Sequence, residues 1–228
     1  MEEKTIDLEG LLVSFQEEGQ GPFFLILHGW KGSSLSWKNV VQGLSSFFTV
    51  ISLDLPGFGK SQNPPFAFDL EDFAKVLNSF CQKREIKEIF LLGHSFGGAV
   101  AVIFTILFPQ MVKKLILCAP ALLRSKKKNF KQRFFNFLAT TGNKIFNQKP
   151  PFFLKKIIYR IINNYDYFDL NPVMKETFKK IIKRDLREDL SQIDIPTLIL
   201  WGEKDKILPL FQAFFIKEKI KNSQLEIL

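Results

Sequence analysis

Residues 88–109 read EIFLLGHSFGGAVAVIFTILFP. After Glu88 an apolar run leads into Gly93-His94-Ser95-Phe96-Gly97, and a second apolar run, 96–108, stops at Pro109. The first run has the length and composition of a strand buried on both faces, and the second has those of a helix. The chain between them must turn sharply. The positions two before and two after Ser95 must be small for the backbone to pass, and Gly93 and Gly97 meet that need. Such a strand–turn–helix lifts the hydroxyl of Ser95 above the sheet. A Gly-Ser turn that serves only packing is the alternative, and the flanking strand and helix weigh against it.

Outward from this stretch the same alternation repeats. FFLILH (23–28) and FTVISLDL (48–55) are further continuous apolar runs of strand length, and VKKLILCAP (112–120) is a fourth. LLVSFQEEG (11–19) reads as an earlier strand. Residues 34–47 carry Leu35, Val40, Val41 and Leu44 at helical spacing, with Ser34 as a cap; 70–84 place Phe73, Val76, Leu77 and Phe80 on one face. Strands and helices in this rhythm imply parallel βαβ units with helices on both faces of one sheet. The rhythm stops over residues 122–190, which hold helical patterns divided by Pro150-Pro151 and Asn171-Pro172 and no buried strand. It resumes at PTLILWG (196–202), a helix near 210–220 and a short strand, QLEIL. The expected organisation is a core of residues 1–121 and 191–228 with an inserted helical segment, 122–190.

Composition bounds the function. The chain has 228 residues, 46% hydrophobic, enough for one sizeable core. The opening MEEKTIDLEG is charged where a signal peptide would be apolar, and the run 96–108 is too short to span a bilayer. Cys81 and Cys118 lie in apolar settings and read as reduced thiols, so the expected location is the cytoplasm. The net charge is +9, and residues 121–190 alone hold 17 Lys/Arg against 6 Asp/Glu. That asymmetry suits an acidic substrate or an anionic membrane surface. It carries no recognisable nucleic-acid module, so no nucleic-acid partner is expected, and a solvated helical face is the simpler reading. No His/Cys/Asp cluster has ligand spacing, so neither metal nor cofactor is implied.

A serine that attacks an acyl carbon needs donors for the oxyanion that forms. The N–H of Phe96, at the start of the helix, is one candidate. LILHGWKGSS (25–34) offers the second: His28-Gly29 ends a strand and presents the N–H of Trp30. Four separated stretches now stand in order: HGW, DLPGFGKS, GHSFGG and LILWGEKDKILP. Together they resemble the α/β-hydrolase fold family, in its form with a single catalytic domain and a helical lid. The resemblance implies a mostly parallel sheet with helices on both faces, Ser95 as nucleophile and Asp205 as the acid that orients a histidine. It also implies an oxyanion hole of Trp30 and Phe96, with His28, Gly29, Gly93 and Gly97 supporting it. Asp54 reads as a loop-fixing carboxylate. The insertion corresponds to the family's lid, and Phe134, Phe135, Phe137, Phe152, Phe153 and Tyr159 are candidates to line an apolar substrate pocket or the lid's own core.

The base departs from the pattern. In this fold the histidine follows the acid, after the next strand. That strand is QLEIL, and the sequence has only two histidines, His28 and His94, both far upstream. His94 precedes Ser95 on a strand entering a tight turn, so its side chain is expected to point away. The expectation is a chain lacking the segment that carries the histidine and a last helix. The implied function is a serine hydrolase of small carboxylic esters acting through an acyl-enzyme. Carbon–carbon hydrolase and acyltransferase activities share these motifs, whereas relatives that cleave carbon–halogen bonds or epoxides use an aspartate nucleophile. The other class is a non-catalytic ligand- or partner-binding protein of the same fold. Sequence alone does not set the oligomeric state.

Overall fold

The computed structural model describes residues 2–124 and 171–228. The six lid aromatics named above lie outside these residues. Eight strands form one sheet: β1 (Glu2–Leu8), β2 (Leu11–Glu18), β3 (Phe23–Leu27), β4 (Thr49–Leu53), β5 (Ile89–His94), β6 (Val112–Cys118), β7 (Thr197–Trp201) and β8 (Ser223–Ile227), in the order β1-β2-β4-β3-β5-β6-β7-β8. β1 and β2 run antiparallel to their neighbours; from β4 to β8 every pairing is parallel. The described helices are α1 (Lys38–Leu44), α2 (Leu70–Lys83), α3 (Phe96–Leu107), α4 (Pro172–Lys183) and α5 (Phe211–Lys219).

Alternation along the strands divides the core. Phe24, Ile26, Val50 and Leu92 meet Val41 of α1 on one face. Leu25, Ile51 and Leu91, of opposite parity, are fully buried on the other, where α3 packs against β5 and α2 against α3. Cover on the α1 side thins across β6 and β7. There Ile116, Cys118, Leu198 and Leu200, in register with Leu92 and His94, are half-buried. α2 begins at a reciprocal cap: Asp69 Oδ1 accepts from the N–H of Asp72 at 2.9 Å, and Asp72 Oδ2 from that of Asp69 at 3.0 Å. Leu70, Phe73, Ala74, Leu77, Phe80 and Cys81 form its buried stripe.

The sheet and its helices, Met1–Leu123 with Pro172–Leu228, form one compact unit, and Arg124–Asn171 form another. Within the first, α4 opens on Pro172, whose missing N–H costs a helix start nothing. Its Thr177 hydroxyl accepts from the N–H of Phe68 at 3.0 Å, while Met174 and Ile181 are buried. Beyond it, the N–H of Leu186 donates to the carbonyl of Leu122 at 3.0 Å.

Two elements differ from the sequence reading. β1 is an edge strand whose side chains are mostly exposed, so it has no apolar signature. Its hairpin to β2 turns at Glu9 and Gly10, both in the left-handed region (φ 55° and 89°), as a two-residue type I′ loop requires. The helix read over 34–47 is a 3-10 turn, Ser34–Trp37, followed by the shorter α1, and the residue ahead of the turn is Ser33, not Ser34. Among the described residues no helix is long and apolar enough to cross a membrane.

Candidate active site

Ser95 stands between β5 and α3 with φ 51° and ψ −114°, a conformation that costs about 1–3 kcal/mol for a residue with a side chain. The surroundings hold it there. Its N–H donates to the carbonyl of Cys118 at 3.1 Å, and its carbonyl accepts from Gly98, Ala99 and Ala121 at 3.1, 3.3 and 2.9 Å. The flanking glycines are required by close approach. A methyl group on Gly97 would lie 2.4 Å from the carbonyl oxygen of Leu27, and one on Gly93 would lie 2.5 Å from that of Gly97. The Ser95 hydroxyl makes no hydrogen bond among the described residues.

The two candidate oxyanion donors come from different elements. Phe96 is the first residue of α3, so its N–H has no intrahelical partner and lies at the positive end of the helix dipole. Trp30 follows β3 in a turn closed by Gly32 N–H to Gly29 carbonyl at 2.8 Å, with Lys31 at φ 59°. A positive φ at the third position makes this a type II turn. The N–H of Trp30 has no partner among the described residues. Gly29 lets this loop touch the serine turn: a Cβ there would lie 2.9 Å from His94 Nδ1 and 3.4 Å from Ser95 Cβ.

His28 is fully buried, and both ring nitrogens are engaged. Nε2 accepts from the N–H of Leu55 at 3.0 Å, which places the proton on Nδ1, 2.7 Å from the carbonyl of Gly29. Burial lowers its pKa, so the ring is neutral. Asp54 fixes the next loop: its carboxylate accepts from the N–H groups of Ser34 at 2.5 Å and Lys60 at 2.8 Å, which matches the loop-fixing role read from sequence.

Asp205 lies in the turn after β7. Its Oδ1 accepts from the N–H groups of Ile207 and Leu208 at 2.7 and 2.9 Å. That turn is tied to β8, since Glu203 N–H donates to the carbonyl of Leu228 and Leu228 N–H to that of Trp201, both at 2.8 Å. The Asp205 charge reaches His94. The His94 ring is solvent-accessible, yet loss of hydration among its neighbours lowers its pKa, and the carboxylate opposes that shift. His94 contacts the edge of Trp37, with ring centres 6.0 Å apart. Neither histidine makes a hydrogen bond to Ser95.

Sequence reading passed over the aromatic wall. Trp30 packs against Phe58, Phe96 and Phe178 at centroid distances of 4.8, 5.2 and 5.1 Å. Phe58 lies inside the PGFG turn and Phe178 on α4, and nothing in their local pattern marks either as facing Trp30. The structure thus brings Ser95, Phe96, Trp30, Gly29 and His94 together, with Asp205 within electrostatic reach of His94. The arrangement offers a half-buried serine whose hydroxyl has no hydrogen bond among the described residues, and two unengaged backbone N–H groups.

Residues 22–157 match the family model described as the alpha/beta hydrolase fold. The chain is 30% identical over 220 residues to the pimeloyl-[acyl-carrier protein] methyl ester esterase of Wigglesworthia glossinidia brevipalpis, spanning 90% of this chain and 83% of that protein. It is 26% identical over 236 residues to a monoacylglycerol lipase of Rattus norvegicus, spanning 92% of this chain and 69% of the lipase. The crystal structure of a membrane phospholipase A superposes with a TM-score of 0.78 at 23% identity, covering all of this chain and 78% of the other, a likeness of fold. With that family match over more than half its length, on a sheet of this order, the chain belongs to the α/β-hydrolase fold family.

Proposed function

We propose that this protein is a serine hydrolase of small carboxylic esters. The observation that carries the reading is Ser95 held in a strained turn, its hydroxyl unengaged, beside two unengaged N–H groups. In this reading the Ser95 oxygen attacks the ester carbonyl, and the Trp30 and Phe96 N–H groups take the negative charge that develops on the carbonyl oxygen. Collapse expels the alcohol and leaves an acyl-enzyme, which water then hydrolyses. Asp205 orients the imidazole base and stabilises its protonated form. His28 is excluded as that base because its lone pair accepts from Leu55. In this reading residues 122–190 correspond to the family's lid insertion, and the protein works in the cytoplasm. The named esterase and lipase relatives support an acyl substrate.

The test is labelling with a fluorophosphonate probe together with hydrolysis of a short p-nitrophenyl ester. Both depend on Ser95 and are abolished in Ser95→Ala. Failure of any preparation, including one extended at the C-terminus, to label at Ser95 overturns the reading.

A second reading has one specific observation in its favour: neither histidine is hydrogen-bonded to Ser95. A non-catalytic member of the fold would bind a ligand through the same face. Ser95-dependent ester hydrolysis by the 228-residue protein contradicts it.

A further inference from the structure

Helix α5 presents its side chains in an order that packing on the sheet does not explain. Ala213 and Ile216 are buried, as expected, but so is Gln212, 8% exposed, and its amide oxygen has no hydrogen-bond partner among the described residues. Phe211 and Phe214, neighbours at helical spacing, are 66% and 54% exposed. Ile207, in the turn that leads into the helix, is 85% exposed. A buried amide beside exposed rings reverses the usual partition of polar and apolar side chains. Neighbouring exposed apolar side chains mark a contact surface.

The backbone fixes this ridge. Asp205 Oδ1 accepts from the N–H groups of Ile207 and Leu208, and the carbonyl of Leu208 accepts from Trp201 Nε1 at 2.9 Å. The N–H groups of Gln212 and Ala213 donate to the carbonyls of Pro209 and Leu210, both at 2.9 Å. Charge surrounds it. Residues 203–221 hold five lysines against three acidic residues. Lys204 and Lys206 are exposed just before the ridge and Lys221 just past the helix, and none of the three makes an ion pair among the described residues.

We propose that Ile207, Phe211 and Phe214 dock this protein on an anionic lipid surface, with Lys204, Lys206 and Lys221 against the headgroup phosphates. The inference stands apart from the reading of Ser95 as nucleophile. Docked in this way, the turn that carries Asp205 lies at the lipid surface.

Composition and charge select lipid over the other occupants of such a ridge. A two-fold contact between copies sets a patch against itself, so the lysines of one copy would face those of the other in a chain of net charge +9. Interfaces with other proteins are poor in lysine, and their anchoring residues are chiefly Trp, Tyr and Arg. Lysine beside phenylalanine and isoleucine is the composition of a surface that lies on lipid. Each lysine near an anionic bilayer adds attraction that salt screens.

The experiment is flotation of the 228-residue protein with vesicles of equimolar phosphatidylcholine and phosphatidylglycerol, and with vesicles of phosphatidylcholine alone. The protein should float with the anionic vesicles and bind the neutral ones about tenfold more weakly. Phe211→Ser combined with Phe214→Ser should lower the partition coefficient at least about tenfold, and Lys204→Gln combined with Lys206→Gln about tenfold. Urea midpoints of both double variants check that the fold is kept. An environment-sensitive fluorophore on Ile207→Cys, read on the otherwise unaltered chain, should shift its emission to the blue on anionic vesicles.

Absence of flotation with either vesicle overturns the inference. Undiminished flotation of the Phe211→Ser/Phe214→Ser variant at a wild-type urea midpoint also overturns it. So does self-association in sedimentation that this variant abolishes while vesicles are not bound, an outcome that assigns the ridge to a second copy. Flotation needs no turnover, so an inert Ser95 leaves each of these results unchanged.

Discussion

The Nε2 of His28 accepts a hydrogen bond from the backbone N–H of Leu55 at 3.0 Å, inside a fully buried pocket. That bond joins the loop carrying Trp30 to the loop that follows β4, and it requires a neutral ring.

The first prediction concerns acid. An unfolded histidine titrates near its ordinary value of 6.5, whereas buried His28 does so lower. Between the two values the unfolded chain binds more protons than the folded one, so stability falls as pH drops through that window and is level above it. His94 shifts in the same direction and adds to the slope. Urea midpoints at about pH 5 and about pH 8 measure the effect. His28→Gln, which keeps an acceptor for Leu55, should flatten the slope in part. An unchanged slope in that variant refutes the assignment.

A second prediction separates the Trp30 backbone from its side chain. Trp30 is the second residue of a type II turn, a position that suits proline. Both Trp30→Ala and Trp30→Pro lose the packing on Phe58, Phe96 and Phe178, but only proline loses the N–H. If that N–H holds the oxyanion, kcat in Trp30→Pro should fall about 10²–10³-fold below that of Trp30→Ala. Equal kcat values would remove Trp30 from the oxyanion site.

The serine turn gives a third. A methyl group at residue 97 meets the carbonyls of Leu27 and His28 at 2.4 and 2.5 Å, with no flexible side chain to yield. Gly97→Ala should cost about 1–3 kcal/mol, read as a lower urea midpoint at unchanged slope. Wild-type stability would mean the turn is looser than the contacts indicate.

Cysteine reactivity gives a fourth. Burial pushes the thiol of Cys81 up to about 12 and that of Cys118 to about 11. Thiolate is the reactive form, so alkylation by iodoacetamide near neutral pH should be slow for both until urea unfolds the chain. Rapid modification of native Cys81 would contradict its burial.

The parallel strands were legible as continuous apolar runs, α2 as an amphipathic repeat of three to four residues, and α3 as an apolar run of helical length after the Gly-Ser turn. β1 was not, because an exposed edge strand buries almost nothing and so leaves no apolar pattern. The glycines around Ser95 were legible as a turn, while their contact distances needed coordinates. The engagement of His28 escaped the sequence altogether. Its partner is a backbone N–H 27 residues away, and a backbone donor has no residue type to recognise. Phe58 and Phe178 escaped for a related reason, since any apolar face could have received them.

The hydrogen bonds between Glu203, Leu228 and Trp201 have a mechanical meaning. The turn that carries Asp205 is positioned by the register of an edge strand, β8, which pairs on one side with β7. A slip of one residue along β7 would exchange Leu225 for Glu226 opposite Ile199 and carry the carbonyl of Leu228 away from Glu203. The placing of a carboxylate whose charge reaches His94 therefore depends on the register of its neighbouring strand.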